Sequence, residues 1–157
     1  MDNFAPVLIP TLNRYEHFRR CVESLSRCTH ADKTPLFIAL DYPLNDSHWA
    51  GYREIDKYLP TIQGFKSIHV IRRENNYGAR ENIQAARKVI YEKYERQIFS
   101  EDDNEFSPNF LDYINKGLDK FEYDDRVLAI CGYMYPVTIR CSKEYNYFYG
   151  KGFSGWG

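Results

Sequence analysis

Residues 97–111 read Gln-Ile-Phe-Ser-Glu-Asp-Asp-Asn-Glu-Phe-Ser-Pro-Asn-Phe-Leu, and within them a strand, an acidic loop and a helix start follow one another. Gln97 to Ser100 has the length and apolar character of a short buried strand. Ser107 is an expected cap, and Pro108 then falls at the first helical position, where its missing N–H would have no partner anyway. Phe110, Leu111, Ile114, Leu118 and Phe121 recur along one face beyond it.

The same alternation runs through the rest of the chain. Phe4 to Pro10 is a strand-sized apolar run, followed by Phe18, Cys21, Val22 and Leu25 at helical spacing. Pro35 to Asp41 is a second strand; Trp49, Tyr52, Ile55 and Leu59 mark a helix entered through Asp46 or Ser47. Ser67 to Ile71 is a third strand, and a long helix runs from Ala79 to about Tyr94. Val127 to Gly132 is a fifth strand by the same criterion. Strands that are apolar on both faces and alternate with helices predict an α/β fold, a mostly parallel sheet with helices on both faces and right-handed crossovers.

Composition agrees with a compact core. The chain has 157 residues, 43% hydrophobic and 27% charged, enough to bury about 70% of the unfolded surface. Disordered and collagen-like classes are excluded. Twenty-one basic residues against 22 acidic ones leave a net charge of -1, so no broad field draws the chain to nucleic acid. No stretch is long and apolar enough for a transmembrane segment, and the first residues carry no signal-peptide pattern. The expected location is cytoplasmic, with peripheral association at a membrane left open. Cys21, Cys28, Cys131 and Cys141 show no CxxC spacing and His17, His30, His48 and His69 are scattered, so reduced thiols are expected and zinc is not.

Four of the nine glycines fall between Gly150 and Gly157, after an almost wholly aromatic segment from Tyr145 to Tyr149. A glycine turn leading into Trp156 needs a surface for that ring. Residues 1–157 are therefore expected to be a single domain whose carboxyl-terminal part is missing.

Chemistry in an open parallel sheet gathers outside the carboxyl ends of the strands. The first strand ends in Pro10, Thr11, Leu12, Asn13 and Arg14, the second in Asp41, the third in Arg72, Arg73 and the loop to Gly78, the fourth in Glu101, Asp102 and Asp103. Like charges about 4 Å apart repel by up to roughly 4 kcal/mol near a surface, so the three acids favour a compensating cation; their oxygens suit Mg or Mn. A solvated acidic turn leaning on the following helix is the other reading. Arg14 and Arg80 each fall in the first turn of an expected helix, against the macrodipole, and two such termini would make an anion pocket. Taken separately, a surface role is the better reading of each arginine, with Asn13 capping the helix beside Glu16 in the first case and a pair with a nearby Glu in the second. An anion pocket beside a cation site suits a nucleoside diphosphate, with Asp41 free to meet a base or ribose. Asp41, Asn75, Asn76 and Gly78 are turn formers in the alternative reading.

The ordered motifs Pro6-Val-Leu-Ile-Pro-Thr-Leu-Asn-Arg14, Asn76-Tyr-Gly-Ala-Arg-Glu-Asn82, Ser100-Glu-Asp-Asp103 and Phe106-Ser-Pro-Asn-Phe-Leu111 resemble the family 2 glycosyltransferases of GT-A fold. The Glu-Asp-Asp form followed by Ser-Pro is also similar to N-acetylglucosaminyltransferase I. The resemblance implies that Asp103 ligates Mn or Mg bridging the diphosphate of a UDP-sugar donor. Asp102 and Glu101 would hold the ribose or a metal-bound water. It implies further that Pro10 and Thr11 border the nucleoside, that Asp41 meets the uracil edge, and that Arg14, with Asn13 before it, reaches the diphosphate. Asn76, Gly78, Arg80 and Asn82 would shape the nucleotide pocket. The implied reaction is inverting transfer to an acceptor, a saccharide or glycolipid, with a carboxylate base from the acceptor half. Phe148 to Gly157 resembles the strand that opens that half, so the base is not assigned.

Three alternatives stand beside this. A non-catalytic nucleotide-sugar-binding module would bind and not turn over. A receiver-like signalling domain would place its acids after the first strand, and they follow the fourth. A nucleotidyltransferase would carry a glycine-rich loop after the first strand, and no glycine precedes Gly51.

Overall fold

A computed structural model of the chain describes residues 4–133. Four strands, β1 (Val7–Thr11), β2 (Pro35–Leu40), β3 (Ser67–Arg72) and β4 (Ile98–Phe99), form one parallel sheet in the order β3-β2-β1-β4. Val7 stands opposite Leu36 on one side and Ile98 on the other, which makes β1 and β2 the centre of the layer. The helices are α1 (Tyr15–Ser26), α2 (Trp49–Tyr58), α3 (Gly78–Tyr91) and α4 (Phe110–Lys120).

Topology decides which face each helix covers. The chain steps from β1 to β2 to β3 in one direction, then returns past both to reach β4. Right-handed crossovers put α1 and α2 on one face and send α3 to the other. Strand side chains alternate accordingly: Val7, Ile9, Leu36 and Ile38 pack with Phe18, Val22, Leu25, Ile55 and Leu111, whereas Leu8, Phe37 and Ala39 pack with Ala86 and Ile90. Each large side chain buried in this way contributes about 1.5–3 kcal/mol. The strand order reverses between β1 and β4, and the carboxyl ends of those strands flank the crevice where such sheets hold ligands.

Local signals shift several boundaries. Asn45, not Asp46 or Ser47, caps the approach to α2: its Oδ1 accepts from the Ser47 N–H at 3.1 Å, and a single 3-10 turn leads into the helix. Regular α4 starts at Phe110, past Ser107 and Pro108. Ser107 Oγ donates to Asn109 Oδ1 at 2.8 Å. The Pro108 carbonyl accepts from Thr29 N–H at 2.8 Å and the Ser107 carbonyl from the Cys28 thiol at 3.3 Å. Residues 107–109 are thus a turn anchored to the loop that follows α1. Val127 to Gly132 is not a strand. Leu128 is 90% exposed, while the side chain of Ile130 lies so close to Gly117 that a Cβ there would meet it at 2.8 Å. Packing on α4 has taken the place of a sheet ladder. The aromatic segment from Tyr145 and the glycine-rich tail lie outside the described residues.

Candidate functional site at the reversal of strand order

Thr11 is the last residue of β1 and Arg14 the residue before α1, so both reach the crevice from one side. The turn after β4 brings the acids from the other. Thr11 Oγ1 donates to Asp102 Oδ2 at 2.8 Å. The Arg14 guanidinium donates one N–H to Asp102 Oδ1 and another to Asp103 Oδ2, the latter at 2.9 Å. Desolvation works against the charge on Arg14, yet attraction to Asp102 and Asp103 outweighs it and holds the guanidinium pKa above its usual value. Asp102 is buried, and Asp103 Oδ1 is a buried oxygen with no hydrogen-bond partner among the described residues.

The acid turn has a firm seat. The Glu101 carbonyl accepts from the Cys21 thiol at 3.5 Å and from Ser100 Oγ at 2.9 Å, and Asn104 Nδ2 donates back to Ser100 Oγ at 2.9 Å. Ser24 Oγ on α1 accepts from Phe106 N–H at 3.1 Å just beyond. Burial first, and then the charges of Asp102 and Asp103, push the Cys21 thiol up to about 12. Cys21 and Cys28 are buried, neutral packing groups with carbonyl partners, and they bind no disulfide partner.

A second group adjoins the first, because Asp41 N–H donates to the Thr11 carbonyl at 2.9 Å. Asp41 is buried at the end of β2. Its Oδ1 accepts from the backbone N–H groups of Tyr42 and Tyr77, each at 2.9 Å, and among the described residues its Oδ2 has only a long contact of 3.5 Å from Asn76 Nδ2. Asn76 Nδ2 also donates to the Tyr42 carbonyl at 2.6 Å. Gly78 opens α3 with φ +74°, a left-handed conformation that favours glycine. Asn82 is fully engaged: Nδ2 donates to the Ala39 carbonyl at 2.9 Å and Oδ1 accepts from Arg73 Nε at 2.9 Å. Arg73 also lies over the Tyr77 ring, 4.8 Å from its centroid.

Of the residues singled out in the sequence, the structure therefore joins Thr11, Arg14, Asp102 and Asp103 directly, and Asp41 with Asn76 beside them. Pro10 lies in β1 and Asn13 in the loop, where the Asn13 carbonyl packs on Gly51 of α2. Asn13 makes no side-chain cap for α1; Arg14 holds the cap position. Glu101 contributes its carbonyl to the turn. Arg80 is exposed in the first turn of α3, on the face opposite α1, so the two helix starts do not share one anion pocket. Arg14 faces carboxylates instead. Arg73 belongs to none of the ordered motifs; its only sequence signal is its place at a strand end, and its partner Asn82 lies nine residues on. Among the described residues no group of three or more His, Cys, Asp or Glu side chains forms a metal cage by itself. Two open depressions, of about 360 and 460 Å³, lie along α3 at Tyr77 and Lys88 and beside β3 at Ile68 and Val70, away from the acids.

Comparison with known proteins adds the following. The crystal structure of S. aureus TarS matches at 17% identity and a TM-score of 0.53, over 74% of this chain and 20% of that one. The crystal structure of S. aureus TarS 1–349 matches at 18% identity and the same TM-score, over 74% of this chain and 32% of that one. These likenesses concern the fold, and the chain spans about a fifth and a third of those two lengths. A comparison with curated proteins gives no match. No helix among the described residues is long and apolar enough to cross a membrane. The model of Glycosyl transferase family 2 matches residues 7–146, a span that takes in all four strands, Arg14 and the three acids, and the chain belongs to that family, with a GT-A type sheet.

Proposed function

We propose that this chain is the donor-binding part of a glycosyltransferase that takes a UDP-sugar with a divalent cation, Mn or Mg, and transfers the sugar with inversion to a saccharide or glycolipid hydroxyl. The buried, unpartnered Asp103 Oδ1 at the reversal of strand order carries the reading. A carboxylate oxygen held out of water without a donor suits an oxygen-seeking cation. Asp103 would hold the cation, which when bound would offset the negative charge of the departing diphosphate.

The chain's own residues divide the rest of the donor. Arg14 and the positive end of α1 would meet the diphosphate oxygens. Pro10 and Thr11 would border the nucleoside. Asp41 has Oδ1 committed to two backbone donors, leaving Oδ2 to accept from the uracil edge. Glu101 and Asp102 would hold the ribose or a metal-bound water. Asn13, Asn76, Gly78 and Asn82 would frame the pocket, Asn82 as a strut since both ends of its amide are taken. In the reaction the acceptor oxygen bonds to the anomeric carbon, the bond to the diphosphate breaks, UDP leaves, and a carboxylate base takes the hydroxyl proton. Buried thiols fit a cytoplasmic placement, where a peripheral position at a membrane would meet a glycolipid acceptor.

Calorimetric titration with UDP, with Mn and then with a chelator, tests this. Mn-dependent binding that Asp103→Ala abolishes, with the unfolding transition retained, is the expected result. Equal UDP affinity in the variant would overturn the assignment. Release of UDP from a UDP-sugar by this chain would decide against the binding-only alternative.

A further inference from the structure

We propose that Arg14 occupies the acid pair as a stand-in for the cation, so that this site accepts a divalent ion only together with a diphosphate. This rests on the reading of Asp103 as the cation's ligand. In the structure the guanidinium lies against both carboxylates, and they are its hydrogen-bond partners among the described residues. One positive charge against two negative ones leaves the trio at -1. A divalent ion entering while Arg14 stays meets a like charge at close range, and three of the four carboxylate oxygens already accept from Arg14 or Thr11, which leaves it Asp103 Oδ1 alone.

Burial shows which member is free to leave. The Asp102 side chain is 6% exposed and tied to Thr11, whereas the Arg14 side chain is 48% exposed and makes no cap for α1. Arg14 therefore has a route into solvent that Asp102 lacks. Swinging out without a new partner would leave the buried Asp102 carboxylate unpaired, which is unfavourable. A diphosphate removes that obstacle: its oxygens take the guanidinium, and the accompanying cation takes the carboxylates. The ligand class is then the cation–diphosphate pair, and neither half alone. Linkage requires the effect to be mutual, with UDP tightening the cation by the same factor as the cation tightens UDP.

The experiment measures free Mn by electron paramagnetic resonance in titrations of the whole chain, alone, with UDP, and with uridine, which lacks the diphosphate. For the unaltered chain, UDP is expected to tighten Mn at least about tenfold and uridine not at all. Arg14→Met is expected to bind Mn alone about tenfold more tightly than the unaltered chain, and to lose most of the further gain from UDP. Arg14→Lys keeps the charge without the fork and should stay within a few fold of the unaltered chain. Arg14→Met no tighter for Mn than the unaltered chain, while UDP still promotes Mn binding, would overturn this proposal and leave the donor reading standing. Equal gains in the Lys and Met variants would also overturn it, since charge would not be the cause. Failure of Mn to bind under every condition would overturn both readings.

Discussion

Thr11 Oγ1 donates to Asp102 Oδ2 at 2.8 Å, a bond between the end of β1 and the turn after β4, 91 residues apart in the chain. It is buried and ends on a carboxylate, so its loss costs more than that of an exposed pair. Thr11→Val keeps the shape and removes the donor, and is expected to lower stability by about 1–3 kcal/mol. Thr11→Ser keeps the hydroxyl and should lie much closer to the unaltered chain. Urea unfolding of the three proteins checks the order.

That bond also marks the limit of what the sequence shows. The strands were legible because Leu8, Ile38 and their neighbours are apolar on both faces, and the acids and Arg14 stood out as residues at odds with their local setting. Their mutual pairing was not legible, because Arg14 and Asp102 are 88 positions apart and meet only once β4 lies beside β1. Its place at a helix start suggests that Arg14 faces an anion, whereas Coulomb attraction has drawn it to the acids. Val127 to Gly132 shows the reverse case. Its apolar residues suit a strand, yet Ile130 is used against Gly117 while Leu128 stays in solvent.

Two glycines are expected to respond to alanine for different reasons. At Gly78 space is ample, the nearest atom to an added Cβ being Glu81 Oε2 at 4.0 Å, so Gly78→Ala pays only the left-handed backbone, about 1–2 kcal/mol. At Gly51 the added Cβ would stand 1.8 Å from the Asn13 carbonyl oxygen. Gly51→Ala must push α2 away from the loop that carries Arg14, at a cost of about 3 kcal/mol. Thermal unfolding should rank the second variant lower, and UDP affinity should fall with it.

Cys21 predicts a loss of stability on the alkaline side. Burial beside Asp102 and Asp103 raises its thiol from the ordinary 9.0 to about 12. Between those values the unfolded chain has released a proton that the folded chain keeps. Stability is therefore full below about pH 9 and falls as pH rises toward 12, by at most about 1.4 kcal/mol per pH unit from this group. Tyr58, pushed up to about 12 by burial and then by Glu23, adds a slope of the same sign. Cys21→Ala should flatten the fall measured by denaturant unfolding from pH 8 to 11 without removing it. In the folded chain at pH 8 the Cys21 thiol should resist alkylation.

Asp41 and Asp103 are expected to serve opposite ends of the donor, and the two ends can be assayed apart. Asp41 Oδ1 accepts two backbone N–H groups while Oδ2 faces Asn76 Nδ2 across 3.5 Å. In Asp41→Asn one oxygen can still accept those two bonds, which preserves the loop at Tyr77. The other atom becomes an N–H donor set against the Asn76 amide and can no longer accept from a base. UDP with Mn should therefore bind about tenfold more weakly, since a lost hydrogen bond at a buried acceptor is worth a little over 1 kcal/mol. Inorganic pyrophosphate with Mn lacks the base and should bind as it does to the unaltered chain. Asp103→Ala should weaken both. If Asp41→Asn weakens pyrophosphate as much as UDP, Asp41 acts through the shape of the crevice, by way of its N–H bond to the Thr11 carbonyl, and not by contact with the nucleoside.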